Sequence, residues 1–326
     1  MSQDPRLEQI KLWLATILST DNFEITPASS DASFRRYFRV FIDNKTWIVM
    51  DAPPEHEDIK PFTEIATFLY QHDIHVPKID ASNQKLGFLL LSDFGNQSFL
   101  DKLNEQTADT LYKSAIESLI QIQLCPSLDI SLPHYDRALL QKELDLFPEW
   151  FLGKHLNIPA PDFLQSTFDK LINHALEQPQ LVVHRDYHSR NLMYTSGKTP
   201  GIIDFQDAVI GPITYDLVSL LRDCYISWPS DRIDSWINYY FSSAQQHGLL
   251  AGVSIECFVK WFDWMGLQRH LKVLGIFSRL NYRDNKPDYI HDLPLTLSYV
   301  RQVSGKYAEF SELSQFLEQH SRIRAL

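Results

Sequence analysis

Hydrophobic positions change their period along the chain, and the changes mark out its organisation. In the first twenty residues Asp4, Arg6, Glu8 and Lys11 stand between apolar residues, an amphipathic pattern rather than the unbroken apolar core of a signal peptide. Residues 34–50, FRRYFRVFIDNKTWIVM, form two runs rich in β-branched and aromatic residues around Asp43-Asn44, which predicts a β-hairpin. After Pro53-Pro54, Ile59, Phe62, Ala66 and Leu69 recur at helical spacing, and VPKI at 76–79 and GFLLLSDF at 87–94 read as strands. From about residue 106 the period becomes helical: Leu111, Ala115, Leu119 and Ile122 mark one long helix, and the stretches 231–247, 255–280 and 306–320 are helical in pattern. One strand-rich island interrupts them, at 181–208, where three apolar pieces alternate with polar turns. The pattern predicts an α+β chain with a small β-rich lobe over 1–92 and a larger, mostly helical lobe over 93–326.

Length and composition sharpen that picture. A chain of 326 residues, at ~150 residues per domain, has room for two lobes with a sizeable core. Hydrophobic residues make up 44% and charged residues 22%, which excludes a disordered chain. The net charge of −11 argues against a broad basic surface for nucleic acid or an anionic membrane. No apolar run approaches the ~18 residues of a spanning helix. Cys125, Cys224 and Cys257 are odd in number and lack a C-x-x-C spacing, so neither a disulfide framework nor a thiolate metal site is expected, and a reducing cytoplasm fits best. Nothing in the pattern calls for an obligate protein partner.

The candidate chemistry lies in the island. His184-Arg185-Asp186 is followed by Asn191, and Asp204 comes later behind Ile202-Ile203. Phosphoryl transfer from a nucleotide needs a carboxylate to accept a hydroxyl proton, with an Asn and a second Asp to hold Mg²⁺ on the phosphates. The pattern H-x-D-x4-N followed by I-D supplies each group once. An Asx-rich surface turn with a core histidine is the plainer alternative.

With these motifs the chain resembles the aminoglycoside phosphotransferase family, the small-molecule branch of the protein-kinase-like fold. The resemblance implies Asp186 as catalytic base, Asn191 and Asp204 as ligands of the magnesium on ATP, and His184 as the structural histidine of the catalytic loop. It puts Leu91 at the hinge that meets adenine and the Ser29–Ser33 loop, with Ser30 and Ser33, over the phosphates. The segments SSDASFRRYFRV, VMDAPPE, FPEWF and GLQRHLKVLGIFSRL are similar to the branch of that family that phosphorylates the anomeric hydroxyl of amino sugars in cell-wall recycling. That likeness implies a small-molecule acceptor, N-acetylmuramate or N-acetylglucosamine, with ATP and Mg²⁺ as cofactors. An aminoglycoside or choline-like acceptor, or a nucleotide-binding module without activity, are the alternatives.

Two features depart from the family pattern. The third strand normally carries a lysine for the nucleotide phosphates, but Trp47-Ile48-Val49-Met50 has none, which leaves Arg35, Arg36 or Arg39 to supply the charge, with Arg36 the first choice. Asp93-Phe94-Gly95 spells a kinase metal-binding tripeptide but precedes the catalytic loop, so it reads as a turn. Asp216 is expected to be a buried support for that loop, Trp228, Trp236, Trp261 and Trp264 core or pocket wall, and Arg222, Arg269 or Lys272 the partner of a substrate carboxylate.

Overall fold

The computed structural model describes residues 4–30 and 34–326, without the side chains of Ser29 and Ser30. The chain divides into two compact units, Met1–Gln97 with Met193–Asp207, and Ser98–Leu192 with Ala208–Leu326.

In the first unit, helix α1 (Pro5–Leu18) starts at Asp4, whose carboxylate accepts the N–H groups of Arg6 and Leu7. Proline at the first helical position gives up no intrahelical bond, because that N–H has no partner in any helix. Strands β1 (Glu24–Ser30), β2 (Arg36–Ile42) and β3 (Lys45–Asp51), helix α2 (Lys60–Gln71), and strands β4 (Ile79–Asn83) and β5 (Phe88–Ser92) follow. The strands form one sheet in the order β1-β2-β3-β5-β4, every neighbour antiparallel. The expected hairpin is β2–β3, and Asp43 takes the left-handed conformation at its turn. Ile10 and Leu14 of α1 pack with Phe38, Val40, Val49, Phe88 and Leu90 from one face of the sheet.

Two strand expectations need correction. VPKI does not form a strand through 76–79; pairing begins at Ile79, since Pro77 has no N–H to give to a ladder. Strand β1 was not expected, because its sequence EITPASS is polar and holds Pro27, and it survives as an edge strand with a register shift between Pro27 and Ser29.

The segment 193–207 joins this unit by backbone bonds. Tyr194 N–H donates to Gln97 O at 2.8 Å and Ile202 N–H to His75 O at 2.8 Å. Phe205 packs on Phe62 of α2, with ring centroids 4.9 Å apart.

The second unit is mostly helical. It contains α3 (Phe99–Lys102), α4 (Ala108–Leu124), α5 (Arg137–Leu144), a π-helix over Phe147–Leu156 and α6 (Leu164–Leu176). Strand β6 (Gln180–Val183) pairs with β9 (Val209–Pro212), and between them in sequence come the short β7 (Leu192–Met193) and, within the segment that belongs to the first unit, β8 (Gly201–Ile202). Then come α7 (Tyr215–Leu221), α8 (Ser230–Gln246), α9 (Ile255–Tyr282), α10 (Leu293–Lys306) and α11 (Ser311–Gln319).

Helix α9 is 28 residues long and buried along most of its second and third quarters. Gly275 lets it touch the start of the π-helix, for a β-carbon there would lie 2.4 Å from the Leu146 backbone. The single helix expected over 306–320 is broken at Tyr307, which is extended and whose hydroxyl donates to the buried carboxylate of Asp263 at 2.7 Å. Helix α10 escaped notice because Leu293-Pro-Leu-Thr-Leu297 alternates like a strand.

Candidate active site

The loop after β6 is fixed from several sides. Asp216, fully buried at the start of α7, accepts the N–H of His184 at 2.6 Å and that of Arg185 at 2.9 Å, one on each oxygen. This is the supporting role expected of it. Burial pushes its carboxyl up to about 6, against the opposing pull of His184 and those two N–H groups. His184, also buried, accepts the N–H of Asp186 on Nδ1 at 3.2 Å, which places its ring proton on Nε2.

Beyond Asp186 the chain curls back on itself. Asp186 C=O accepts the N–H of His188 at 3.0 Å and the side-chain amide of Asn191 at 3.0 Å. Ser189 donates its N–H at 3.0 Å and its hydroxyl at 2.5 Å to Asp223, a buried carboxylate that the sequence reading passed over. Asp186 and Asn191 are thus brought together on one short loop held by hydrogen bonds. Arg185 sits at φ 76°, a left-handed conformation that costs a side-chain-bearing residue roughly 1–3 kcal/mol and persists only where its surroundings impose it. The Asp186 carboxyl is half-buried. Burial would raise it, yet the positive charge of Lys272, joined by that of Arg269, holds it below its ordinary value.

Asp204 belongs to the other unit, on the segment 193–207. It also has a left-handed backbone, φ 67°, just after β8, and one of its oxygens accepts from Gln206 Nε2 at 2.7 Å. The amide of Asn191 and the carboxylate of Asp204 are hard oxygen donors, the kind Mg²⁺ takes when phosphates complete its shell, so the residue types fit that ion.

The other residues expected to meet the nucleotide also lie in the first unit. Leu91 is buried near the end of β5, paired with Ile48 on one side and Ile79 on the other. Ser30 ends β1 opposite Arg36, its side chain outside the described set, and Ser33 lies outside the described residues.

Arg36 is tied to two carboxylates of its own unit. Its guanidinium donates to Asp51 Oδ2 at 2.9 and 2.5 Å and also to Asp4. Arg6 takes the other Asp51 oxygen, at 2.8 and 2.5 Å, and the Leu86 carbonyl at 2.7 Å. Cross-strand register sets Arg36 opposite Asp51, and a fully buried carboxylate needs such partners. Arg39 grips Asp93 at 2.6 and 3.0 Å, and Arg35 Nε lies 3.9 Å from Glu57. All three arginines therefore have carboxylate neighbours. Asp93 also accepts the Gly95 N–H at 2.8 Å, so the tripeptide is the turn it was expected to be.

The basic residues considered for a substrate carboxylate are similarly engaged. Arg222 pairs with Asp263 at 2.6 Å, Lys272 with Glu143 at 2.9 Å, and Arg269 donates to Cys224 Sγ at 3.6 Å. Trp236, Trp261 and Trp264 are core residues, and Trp228 donates to the Tyr112 hydroxyl at 2.9 Å. Glu143, Asp51 and Asp223 were all missed in the sequence. The one available signal was a carboxylate embedded among apolar neighbours, as in Leu220-Leu-Arg-Asp-Cys-Tyr-Ile226.

Comparison with known proteins gives the site its setting. Residues 24–251 match the model of the phosphotransferase enzyme family. The chain is 43% identical to the N-acetylmuramate/N-acetylglucosamine kinase of Pseudomonas putida, over 96% of each chain. It is 42% identical to the protein of the same name from Neisseria meningitidis, over 95% of each. Among solved structures it is similar to the ethanolamine kinase of Plasmodium vivax, with a TM-score of 0.68 at 12% identity, over 92% of this chain and 90% of that one. An ADP-bound aminoglycoside phosphotransferase superposes with a TM-score of 0.60 at 14% identity, over 93% and 99%. A chain that matches the family model over most of its length, carries the pinned H-x-D-x4-N loop and shares its fold with small-molecule kinases belongs to the phosphotransferase enzyme family, with a protein-kinase-like fold.

Proposed function

We propose that this enzyme transfers the γ-phosphoryl group of ATP to the anomeric hydroxyl of N-acetylmuramate or N-acetylglucosamine, a step of cell-wall recycling. The observation that carries the acceptor is the 42–43% identity, over nearly the full length, to proteins bearing that kinase name. In this reading Asp186 accepts the proton of the sugar hydroxyl, and Asn191 and Asp204 would hold Mg²⁺, which supplies charge neutralisation on the phosphates when bound. Leu91, Ser30 and Ser33 lie on the segments that would receive the nucleotide. The anomeric hydroxyl is more acidic than an ordinary sugar hydroxyl, so orientation and charge stabilisation can account for the rate without a stronger base.

A coupled ADP-release assay with N-acetylmuramate, N-acetylglucosamine, kanamycin and choline tests the acceptor. Turnover with the two amino sugars and none with kanamycin or choline is the expected result. Preference for kanamycin or choline would move the protein to another acceptor class, and no turnover with any would favour a nucleotide-binding module.

A further inference from the structure

Behind the catalytic loop lies a buried charged cluster that the proposed chemistry does not use. Glu143 stands on α5 between Leu140 and Leu144, both fully buried, on a face where an apolar residue is the ordinary choice. Its Oε1 accepts from Lys272 Nζ at 2.9 Å and from Arg185 Nη2, and its Oε2 accepts from the Tyr135 hydroxyl. Lys272 also donates to the Tyr215 hydroxyl at 2.9 Å, and Tyr215 precedes Asp216, the residue that holds the Arg185 backbone.

We propose that Glu143 is a positioning residue for Asp186: sharing one oxygen between Lys272 and Arg185, it fixes the residue that orients the base. This rests on the reading of Asp186 as the base. Arg185 is thereby held at both ends, its N–H by α7 and its guanidinium by α5, in a left-handed conformation that needs imposing. Asp186 is the next residue, so any rotation released at Arg185 moves its carboxylate. Buried ion clusters of this kind add little to stability compared with well-packed apolar residues, so stability alone does not account for three charges here. Direct contact with substrate is excluded for Glu143 by its burial and by the engagement of both its oxygens. Lys272 and Arg185 keep it ionised despite burial, which lets it grip both cations.

The test is a double-mutant cycle on kcat and both KM values, using labelled ATP so that slow variants remain measurable. Glu143→Gln should lower kcat by ~10–100-fold with both KM values within about twofold, the scale of a misplaced catalytic group. In the Asp186→Asn background the same substitution should change kcat by less than about twofold, since it acts only through that carboxylate. An equal loss in both backgrounds means a general structural defect and overturns the proposal alone. A raised sugar KM at unchanged kcat overturns it in favour of substrate binding. Wild-type turnover by Asp186→Asn overturns both this proposal and the reading beneath it. Should Glu143→Gln fail to fold, Arg185→Lys, which keeps the charge on the same backbone, goes through the same cycle with the same expectations.

Discussion

At the scale of single residues, the account depends on how Asp186 is placed. Its N–H, its C=O and the N–H groups of the two preceding residues are all bonded within the same unit, so the backbone needs little rearrangement before reaction. Asp186→Asn keeps the shape and those bonds but cannot accept a proton. The variant is expected to fold with a wild-type melting temperature and to lose about 10²–10⁴ in kcat, the range for removal of a positioned general base. Near-normal turnover by that folded variant would take Asp186 out of the chemistry. Asp204, the carboxylate expected to hold the metal, and Asp93, which only mimics such a ligand in the sequence, separate on the same logic. Asp93 is consumed by Arg39 and the Gly95 N–H, whereas Asp204 sits on a left-handed backbone of the sort found at functional sites. Asp204→Ala should raise the Mg²⁺ concentration needed for half-maximal rate by at least about tenfold, because few protein ligands hold this ion. Asp93→Ala should leave that titration where it is, and the reverse pattern would exchange their roles.

At the scale of elements, the first unit is knitted by one buried carboxylate. Asp51 at the end of β3 receives Arg6 from α1 and Arg36 from β2, and the N-cap of α1, Asp4, closes the ring on Arg36. Removing Arg36 leaves Asp51 with one of its two cations, and breaking such a pair commonly costs about 3–5 kcal/mol. The exposed edge of the Arg36 side chain and the surviving Arg6 place this case at or below the low end of that range. Arg36→Ala should therefore lower the melting temperature by several degrees while the KM for ATP stays within about twofold. A raised ATP KM at unchanged melting temperature would point instead to the phosphate role that the sequence suggests for it. The elements themselves were partly legible. The β2–β3 hairpin, α2, α4 and α8 follow from periodicity, and so does most of α9, although its middle is buried on every side. Strand β1 and helix α10 did not, since Pro27 and the Leu-Pro-Leu-Thr-Leu alternation send the opposite local signal and tertiary packing overrides it. The loop His184–Asn191 was legible because phosphoryl transfer demands particular side chains at short spacing. Its supports, Glu143 and Asp223, were not, as they lie 42 residues before and 34 after the residues they hold.

At the scale of the whole molecule, the fold is shared with kinases named for different acceptors, so fold alone does not choose among them. Among the described residues no helix is long and apolar enough to cross a membrane, and the three cysteines form no disulfide. The central claim is that the phosphoryl group goes to the anomeric oxygen of an amino sugar. That oxygen carries a proton only in the free reducing sugar. A methyl glycoside has none for Asp186 to take, although the rest of its ring keeps the contacts that bind it. The most direct measurement is the NMR spectrum of the product formed from N-acetylglucosamine and ATP, with methyl N-acetylglucosaminide in parallel. The account predicts phosphorus coupling to H1 and no product from the methyl glycoside. Coupling to the C6 protons, or brisk turnover of the glycoside, would contradict it.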